Sequence, residues 1–394
     1  MHKVVKTPVK ERLVIVGGGM AGSKLAYELC RQQSERFHIT LIGEEPQLGY
    51  NRIMLSSLLA EEISSADMAL VNLEEMVSSG ATLISGDPVQ GISVEKKSLT
   101  LLSGMVMSYD KLIIATGSRA TMLPIDGAQA SNVIGFRQWQ DVNLMSAIKG
   151  SQPVSVIGGG LLGLEAAVGL AKRGHQVTVF HRSKWLLNRQ LDTESARLLQ
   201  RKLETMGVHF RLGTSPQTLL QNEKGLVSHV KLPDGEQIAT KMVVMAAGIT
   251  PEVALGKKAG LQVNRAILVD AQMKTSCQDI FALGECCEFD DQTFGLVAPI
   301  WTQIKVLLAV LAGNQARFLI EPVPTKLKVS GVNLFSVGRI QPNQDDNCIV
   351  FNDVGSNHYR KLVVNDGLLV GAILYGNVAD GSWYFQLIQN KTNV

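Results

Sequence analysis

Two stretches of the chain set a short, β-branched apolar run, broken in the second only by Ser155, directly before closely spaced glycines and a helical pattern. Leu13-Val14-Ile15-Val16 leads into Gly17, Gly19 and Gly22, and Val154-Ser155-Val156-Ile157 leads into Gly158, Gly160 and Gly163. Such a short apolar, β-branched run predicts a strand. The glycine spacing after such a strand is that of a dinucleotide-binding turn. The first glycine permits the tight turn, the second lets backbone approach a pyrophosphate, and the third lets the following helix pack on the strand. The phosphates then sit on the helix N-terminus, at Met20 and Ala21 in the first copy and at Leu161 and Leu162 in the second. Free amides and the helix dipole supply the positive end there, and no basic side chain is required.

The strands that follow end differently. Ile39 to Ile42 runs through Gly43 to Glu44 and Glu45, which places an acid where a pair of ribose hydroxyls needs an acceptor. Val177 to Phe180 ends instead on His181 and Arg182, a basic pair that favours a 2′-phosphate, unless Arg182 simply points to solvent. Two dinucleotide folds in one chain imply two nucleotides held in register, with something passing between them.

The remaining pattern fills in around these units. Arg52 is open to two readings, a fork-shaped donor to a pyrophosphate or a solvated loop arginine, and a short helix is expected from Ser56. Leu83 to Ile92 and Ser98 to Val106 predict antiparallel strands. Tyr109 to Ile114 ends in the small residues Ala115, Thr116 and Gly117, and Met242 to Met245 ends likewise toward Gly248, endings that let backbone come close to a ligand. A helix is expected near Asp141 to Ile148 and an amphipathic one from Arg189 to Met206. Glu165, on the second glycine helix, is either an exposed acid or a group near the nicotinamide. Ile280 to Leu283 leads to Gly284 and Glu285, an acid suited to a sugar-like chain of hydroxyls. A helix from about Pro299 to Ala312 closes this region, and from about Phe318 short alternating strands and a final helix predict a small α+β domain with a binding or dimer surface.

Composition narrows the function classes. The chain has 394 residues and a formal net charge of +3, ample for several domains. It has no basic run interleaved with aromatics, which argues against nucleic acid. No apolar run reaches membrane-spanning length and the N-terminus lacks a leader pattern, so a cytoplasmic location with no membrane association is expected. The five cysteines, Cys30, Cys277, Cys286, Cys287 and Cys348, form no disulfide framework, no C-x-x-C and no metal set. Cys286 and Cys287 are open to a redox role or to burial as small thiols.

With these residues in view, the chain resembles the two-dinucleotide-fold flavoprotein reductases, the glutathione-reductase-like class of pyridine nucleotide-disulfide oxidoreductases that includes rubredoxin and ferredoxin reductases. More narrowly it is similar to the N-terminal FAD and NAD(P)H module of nitrite reductase large subunits. The stretches that carry this are GEEPQLGYNRIMLSS, YDKLIIATGS, IGGGLLGLEAA, NRQLD, IFALGECCEFDDQTFGLVAP and TKLKVSGVNLFSVG.

The resemblance implies an α/β protein with two Rossmann-like domains plus the α+β C-terminal domain. The expected boundaries are an FAD domain at 1–120 and 247–315, an NAD(P)H domain at 121–246, and a C-terminal domain at 316–394. It implies FAD in the first fold, with Glu44, Thr116, Gly117 and Glu285, and NADH or NADPH at Gly158 to Gly163. Electrons would pass to an iron–sulfur or other metalloprotein partner, a nitrate or nitrite reductase subunit or a rubredoxin; the C-terminal surface leaves a homodimer open. Alternatives are an oxidase or a non-catalytic flavin-binding assembly subunit. Disulfide-reducing members carry redox cysteine after the ribose acid, whereas Gly49 to Glu62 has none. Rubredoxin-reductase-like members place a lysine where Ser57 aligns, leaving Glu165 without that partner. Full-length nitrite reductase large subunits continue into iron–sulfur and sirohaem regions, so these 394 residues are not expected to reduce nitrite alone.

Overall fold

The computed structural model describes residues 10–329 and 331–394; Ser330, in the TKLKVSGVNLFSVG stretch, lies outside the described residues. The chain divides into two units, the first of which comprises residues up to 53 together with 66–119 and 249–321.

In the first unit, strand Glu11–Val16 is the centre of a five-stranded sheet, paired in parallel with Phe37–Gly43 on one side and Lys111–Ile114 on the other. Thr82–Ser85 and Ile280–Ala282 are the outer strands. Leu13, Val14, Ile15 and Val16 are all buried, because both faces of the sheet are covered. Helices Met20–Gln33 and Val297–Leu311 lie together in this unit, and the Gln33 amide donates to the Leu308 carbonyl at 3.0 Å.

One expectation is corrected here. Leu83 to Ile92 is not a single antiparallel strand: Thr82–Ser85 joins the parallel sheet, the chain breaks at Gly86-Asp87-Pro88, and the antiparallel ribbon starts at Val89–Ser93. Gly86, at φ +70°, makes that break. Ser98–Leu101 and Val106–Ser108 complete the ribbon.

The second unit, residues 54–65, 120–248 and 322–394, repeats the arrangement. Strand Pro153–Ile157 pairs in parallel with Gln176–His181 and Met242–Met245, and Val208–Leu212 and Val133–Gly135 flank them. Helix Leu161–Lys172 follows the glycine turn. The short helix Leu55–Leu59 packs against it so closely that a Cβ on Gly169 would lie 2.9 Å from Leu59. The amphipathic helix runs only over Thr193–Glu204, not from Arg189: Asp192 accepts the Ser195 amide and caps it, and the preceding turn places Leu187 at φ +50°.

The C-terminal part of this unit is an antiparallel sheet in the order Thr325–Val329, Val332–Gly338, Leu368–Tyr375, His358–Asn365, Asn347–Asp353, with helix Gly381–Gln389 on one face. The fold class is therefore the expected one, α/β with two Rossmann-like folds and an α+β C-terminal part. No helix among the described residues is long and apolar enough to cross a membrane.

Candidate dinucleotide sites

The two glycine turns are built alike. Gly17 sits at φ +124° and Gly158 at φ +128°. A Cβ on Gly17 would come within 2.1 Å of the Ala115 carbonyl oxygen, and one on Gly158 within 2.2 Å of that of Ala246. A Cβ on Gly22 or Gly163 would lie 1.9 Å from the carbonyl oxygen of Gly17 or Gly158, so strand, turn and helix interlock with no room for a side chain. Gly17 donates to the Ile42 carbonyl and Gly158 to that of Phe180, each at 2.8 Å. Gly19 and Gly160 cap their helices without a side-chain bond, which leaves the first-turn amides beside Met20, Ala21, Leu161 and Leu162 directed out of each turn.

In the first unit the expected residues converge on this turn. The Arg52 guanidinium would lie 3.4 Å from a Cβ on Gly19. It pairs with Glu45, which also accepts the Tyr50 hydroxyl at 2.7 Å, while the buried Arg52 Nε has no hydrogen-bond partner. Arg52 is thus neither solvated nor wholly satisfied by protein.

Gly284, at φ +86°, is packed near Ala21, so the acid turn stands beside the start of the first helix. Its amide donates to Gln303 Oε1 at 2.8 Å, and the Ser118 hydroxyl donates to Glu285 at 2.8 Å. Thr116 uses its hydroxyl on the Glu252 carbonyl at 3.0 Å, and Gly117 accepts the Glu252 amide at 2.9 Å, so these two hold the neighbouring segment. Glu44 lies exposed just past its strand, 3.4 Å from Arg119. Arg119 was not marked by sequence reasoning; its position after Gly117-Ser118 was the only available signal. It is bonded above all to Glu252, which holds its own pKa raised.

Cys286 and Cys287 are fully buried. Their thiols donate to the carbonyls of Leu283 at 3.3 Å and Gly284 at 3.2 Å, and burial raises both pKa values. They act as protonated donors that tie down the acid turn, and a thiolate is disfavoured at both positions.

In the second unit the basic pair divides. Arg182 is exposed and makes no ion pair among the described residues, with Lys184 and Arg189 also exposed nearby along the loop. His181 is turned inward: its Nδ1 accepts the Gly159 amide at 3.1 Å, and burial lowers its pKa. The expectation of two cations at this strand end is corrected accordingly, since a neutral ring that accepts an N–H cannot also serve as a phosphate-binding cation.

Glu165 is half-buried, not an exposed helix acid; burial raises its pKa, and Ser56 donates a hydrogen bond to it. Ser56, rather than its neighbour Ser57, therefore faces this acid. Gly248, at φ +121°, accepts the Thr121 amide at 3.0 Å and is exposed two residues beyond the turn against Gly158.

Comparison with known proteins bears on this geometry. The family described as pyridine nucleotide-disulphide oxidoreductase matches residues 11–316, and the rubredoxin NAD+ reductase C-terminal domain matches residues 322–392. The chain is 37% identical over 387 residues to a nitrite reductase [NAD(P)H] of Bacillus subtilis (strain 168), covering 98% of this chain and 48% of that protein. It is 39% identical over 373 residues to the assimilatory nitrate reductase electron transfer subunit of the same organism, covering 94% of this chain and 48% of that protein. It thus spans about half the length of these curated relatives. Among solved structures, the NADH:rubredoxin oxidoreductase of Clostridium acetobutylicum superposes with a TM-score of 0.80 at 26% identity, covering 98% of this chain and 96% of that one. Because the family match begins in the first strand of the first sheet and ends beyond its closing helix, the chain belongs to the pyridine nucleotide-disulphide oxidoreductase family and is an NAD(P)H oxidoreductase with FAD as its cofactor.

Proposed function

We propose that this chain carries electrons from NAD(P)H by way of FAD to an iron–sulfur or other metalloprotein partner, in nitrate or nitrite assimilation. The observation that carries the reading is the pair of glycine cradles, each sealed against a Cβ, one followed by acids and the other by an exposed arginine. FAD, when bound, takes a hydride from NAD(P)H and releases electrons one at a time, which suits a link between a two-electron carrier and a metal centre.

The residues fit that pair of ligands. In the first unit the amides at Met20, Ala21 and Gly22 face a pyrophosphate, with Arg52 Nε as a spare donor beside them. Glu44 takes ribose hydroxyls, and Glu285, oriented by Ser118, takes the flavin's polyol chain. In the second unit the helix start at Gly160 to Gly163 takes the nicotinamide nucleotide's pyrophosphate, and Arg182 reads a 2′-phosphate. Glu165 with Ser56 offers a carboxyl whose raised pKa suits it to donate or accept a hydrogen bond near the nicotinamide amide.

The names of the two Bacillus subtilis relatives support nitrogen-oxide assimilation, and that of the clostridial neighbour supports a rubredoxin as the alternative acceptor. The protonated, buried Cys286 and Cys287 supply no thiol nucleophile for disulfide or peroxide chemistry. A cytoplasmic location belongs to the same proposal. We also assign a homodimer to the C-terminal sheet, whose edge strand Asn347–Asp353 exposes Ile349, Val350 and Phe351. Light scattering that returned only monomer at micromolar concentration would remove the dimer. Anaerobic titration of the yellow protein with NADH and NADPH tests the main reading: bleaching by either supports it, and bleaching by neither overturns it. Oxygen consumption as fast as ferricyanide reduction would point to an oxidase instead.

A further inference from the structure

The second unit contains a buried ionic cluster that the proposed electron transfer does not use. Asp192 caps helix Thr193–Glu204 and is 8% exposed. Its Oδ1 accepts the Ser195 hydroxyl at 2.6 Å and the Ser195 amide at 3.1 Å. Its Oδ2 accepts the Tyr359 hydroxyl at 2.6 Å and lies 3.3 Å from Lys361 Nζ. Tyr359 and Lys361 belong to strand His358–Asn365 of the C-terminal sheet and are themselves buried. Arg360, between them, points to the opposite face, where it pairs with Asp380 at 2.7 Å and receives no part of this cluster.

Asp192 ends the loop that begins at His181, and that loop grips the second glycine turn at one residue. His181 Nδ1 accepts the Gly159 amide at 3.1 Å, and the Leu187 amide donates to the Gly159 carbonyl at 3.0 Å. The loop is then closed on itself, since Leu191 donates to the Leu187 carbonyl at 2.8 Å and the Trp185 indole donates to the Leu191 carbonyl at 3.2 Å. Leu186, Leu187 and Leu191 are at most 1% exposed, so the loop moves as one packed piece. A Cβ on Gly159 would lie 2.8 Å from the His181 ring and 2.9 Å from Leu186, leaving the turn no slack against it.

We infer that Tyr359 and Lys361 are positioning residues for the pyridine nucleotide, acting from the C-terminal sheet through Asp192 and the loop from His181 that it ends, on the Gly158–Gly163 turn. The inference rests on the second unit being the NAD(P)H site. A buried carboxylate that loses one of its two C-terminal partners is left short of compensation, and the end of the loop it anchors shifts to recover solvent or another donor. That shift is passed to Gly159, whose amide and carbonyl are both held by the loop. Ground-state nucleotide binding suffers, while the chemistry after binding does not.

The test uses the full-length FAD-loaded protein with ferricyanide as acceptor. Tyr359→Phe and Lys361→Met should each raise the KM for the preferred nicotinamide nucleotide about fivefold to tenfold, a part of the loss expected of one hydrogen bond to a charged group because the shift reaches Gly159 only through the loop, with kcat within about twofold of wild type. Arg360→Gln, which breaks the ion pair on the other face of the same strand, should leave KM unchanged. An unchanged KM in both cluster variants overturns the inference. So does an equal rise in Arg360→Gln, or loss of folded protein in Tyr359→Phe, since either would make the cluster a purely structural tie. Failure of the wild type itself to oxidise NAD(P)H would instead strike the reading on which the inference stands.

Discussion

Replacing Gly163 by alanine separates the two cofactors. The added Cβ would lie 1.9 Å from the Gly158 carbonyl oxygen and 3.2 Å from the Ala246 Cβ, against an ordinary contact of 3.4 Å or more. The helix Leu161–Lys172 must therefore retreat from the turn by about 1.5 Å, because neither neighbour is a flexible side-chain end. Such a displacement moves the first-turn amides off the pyrophosphate position, and an error of this size at a binding geometry costs about a hundredfold. Gly91, in the antiparallel ribbon Val89–Ser93 of the first unit, offers the control, since a Cβ there meets nothing within 4 Å and its backbone is outside the left-handed region. Steady-state reduction of ferricyanide should show KM for NAD(P)H raised about a hundredfold in Gly163→Ala and changed less than about threefold in Gly91→Ala. The flavin absorbance per polypeptide should be that of wild type in both. A Gly163→Ala protein with wild-type KM would refute the claim that this interlock holds the nucleotide, and one that lost its flavin would refute the assignment of the two folds.

Three further outcomes follow from the geometry. Ser118→Ala removes the donor 2.8 Å from Glu285 and should weaken FAD retention several-fold, a part of the worth of one charge-assisted hydrogen bond because Ser118 acts only by orienting Glu285, measured by flavin released on dilution. Arg182→Glu should lower the ratio of kcat/KM for NADPH over NADH by about tenfold or more, and an unchanged ratio would show that this arginine does not meet the 2′-phosphate. Glu165 gives a pH dependence with a definite sign: unfolded it ionises near 4.5, whereas burial raises its pKa in the folded protein, so the folded state holds more protons between those values. Stability contributed by this group therefore falls as pH climbs above about 4.5 and levels off beyond the folded pKa. Glu165→Gln should flatten that decline, read as Tm against pH from 4.5 to 8, and parallel curves for the two proteins would contradict it.

What the chain order of residues determined by itself was the local part: two strand-turn-helix cradles, the acid after one and the basic residues after the other. Those features depend on steric demands within a few residues, such as Gly17 and Gly158 in a backbone conformation that a Cβ would block. The same holds for the α+β C-terminal region, whose strands follow from short-range alternation and turns.

The tertiary structure alone decided what depends on partners distant in sequence. Thr82–Ser85 could not be assigned to the parallel sheet from four residues of which only Leu83 and Ile84 are half-buried, because a short run carries no mark of its partner strand. His181 reads as a cation until the Gly159 amide is seen to need its ring nitrogen. Ser56 meets Glu165 only because a glycine helix lets Leu55–Leu59 approach, and Arg119 reaches Glu44 only across the strand ends. Asp192 caps its helix locally, yet its second carboxylate oxygen is claimed by Tyr359, 167 residues away. Side-chain polarity can be read along a chain, but the choice of hydrogen-bond partner is made by whichever groups folding brings within 3 Å in a site that water cannot reach.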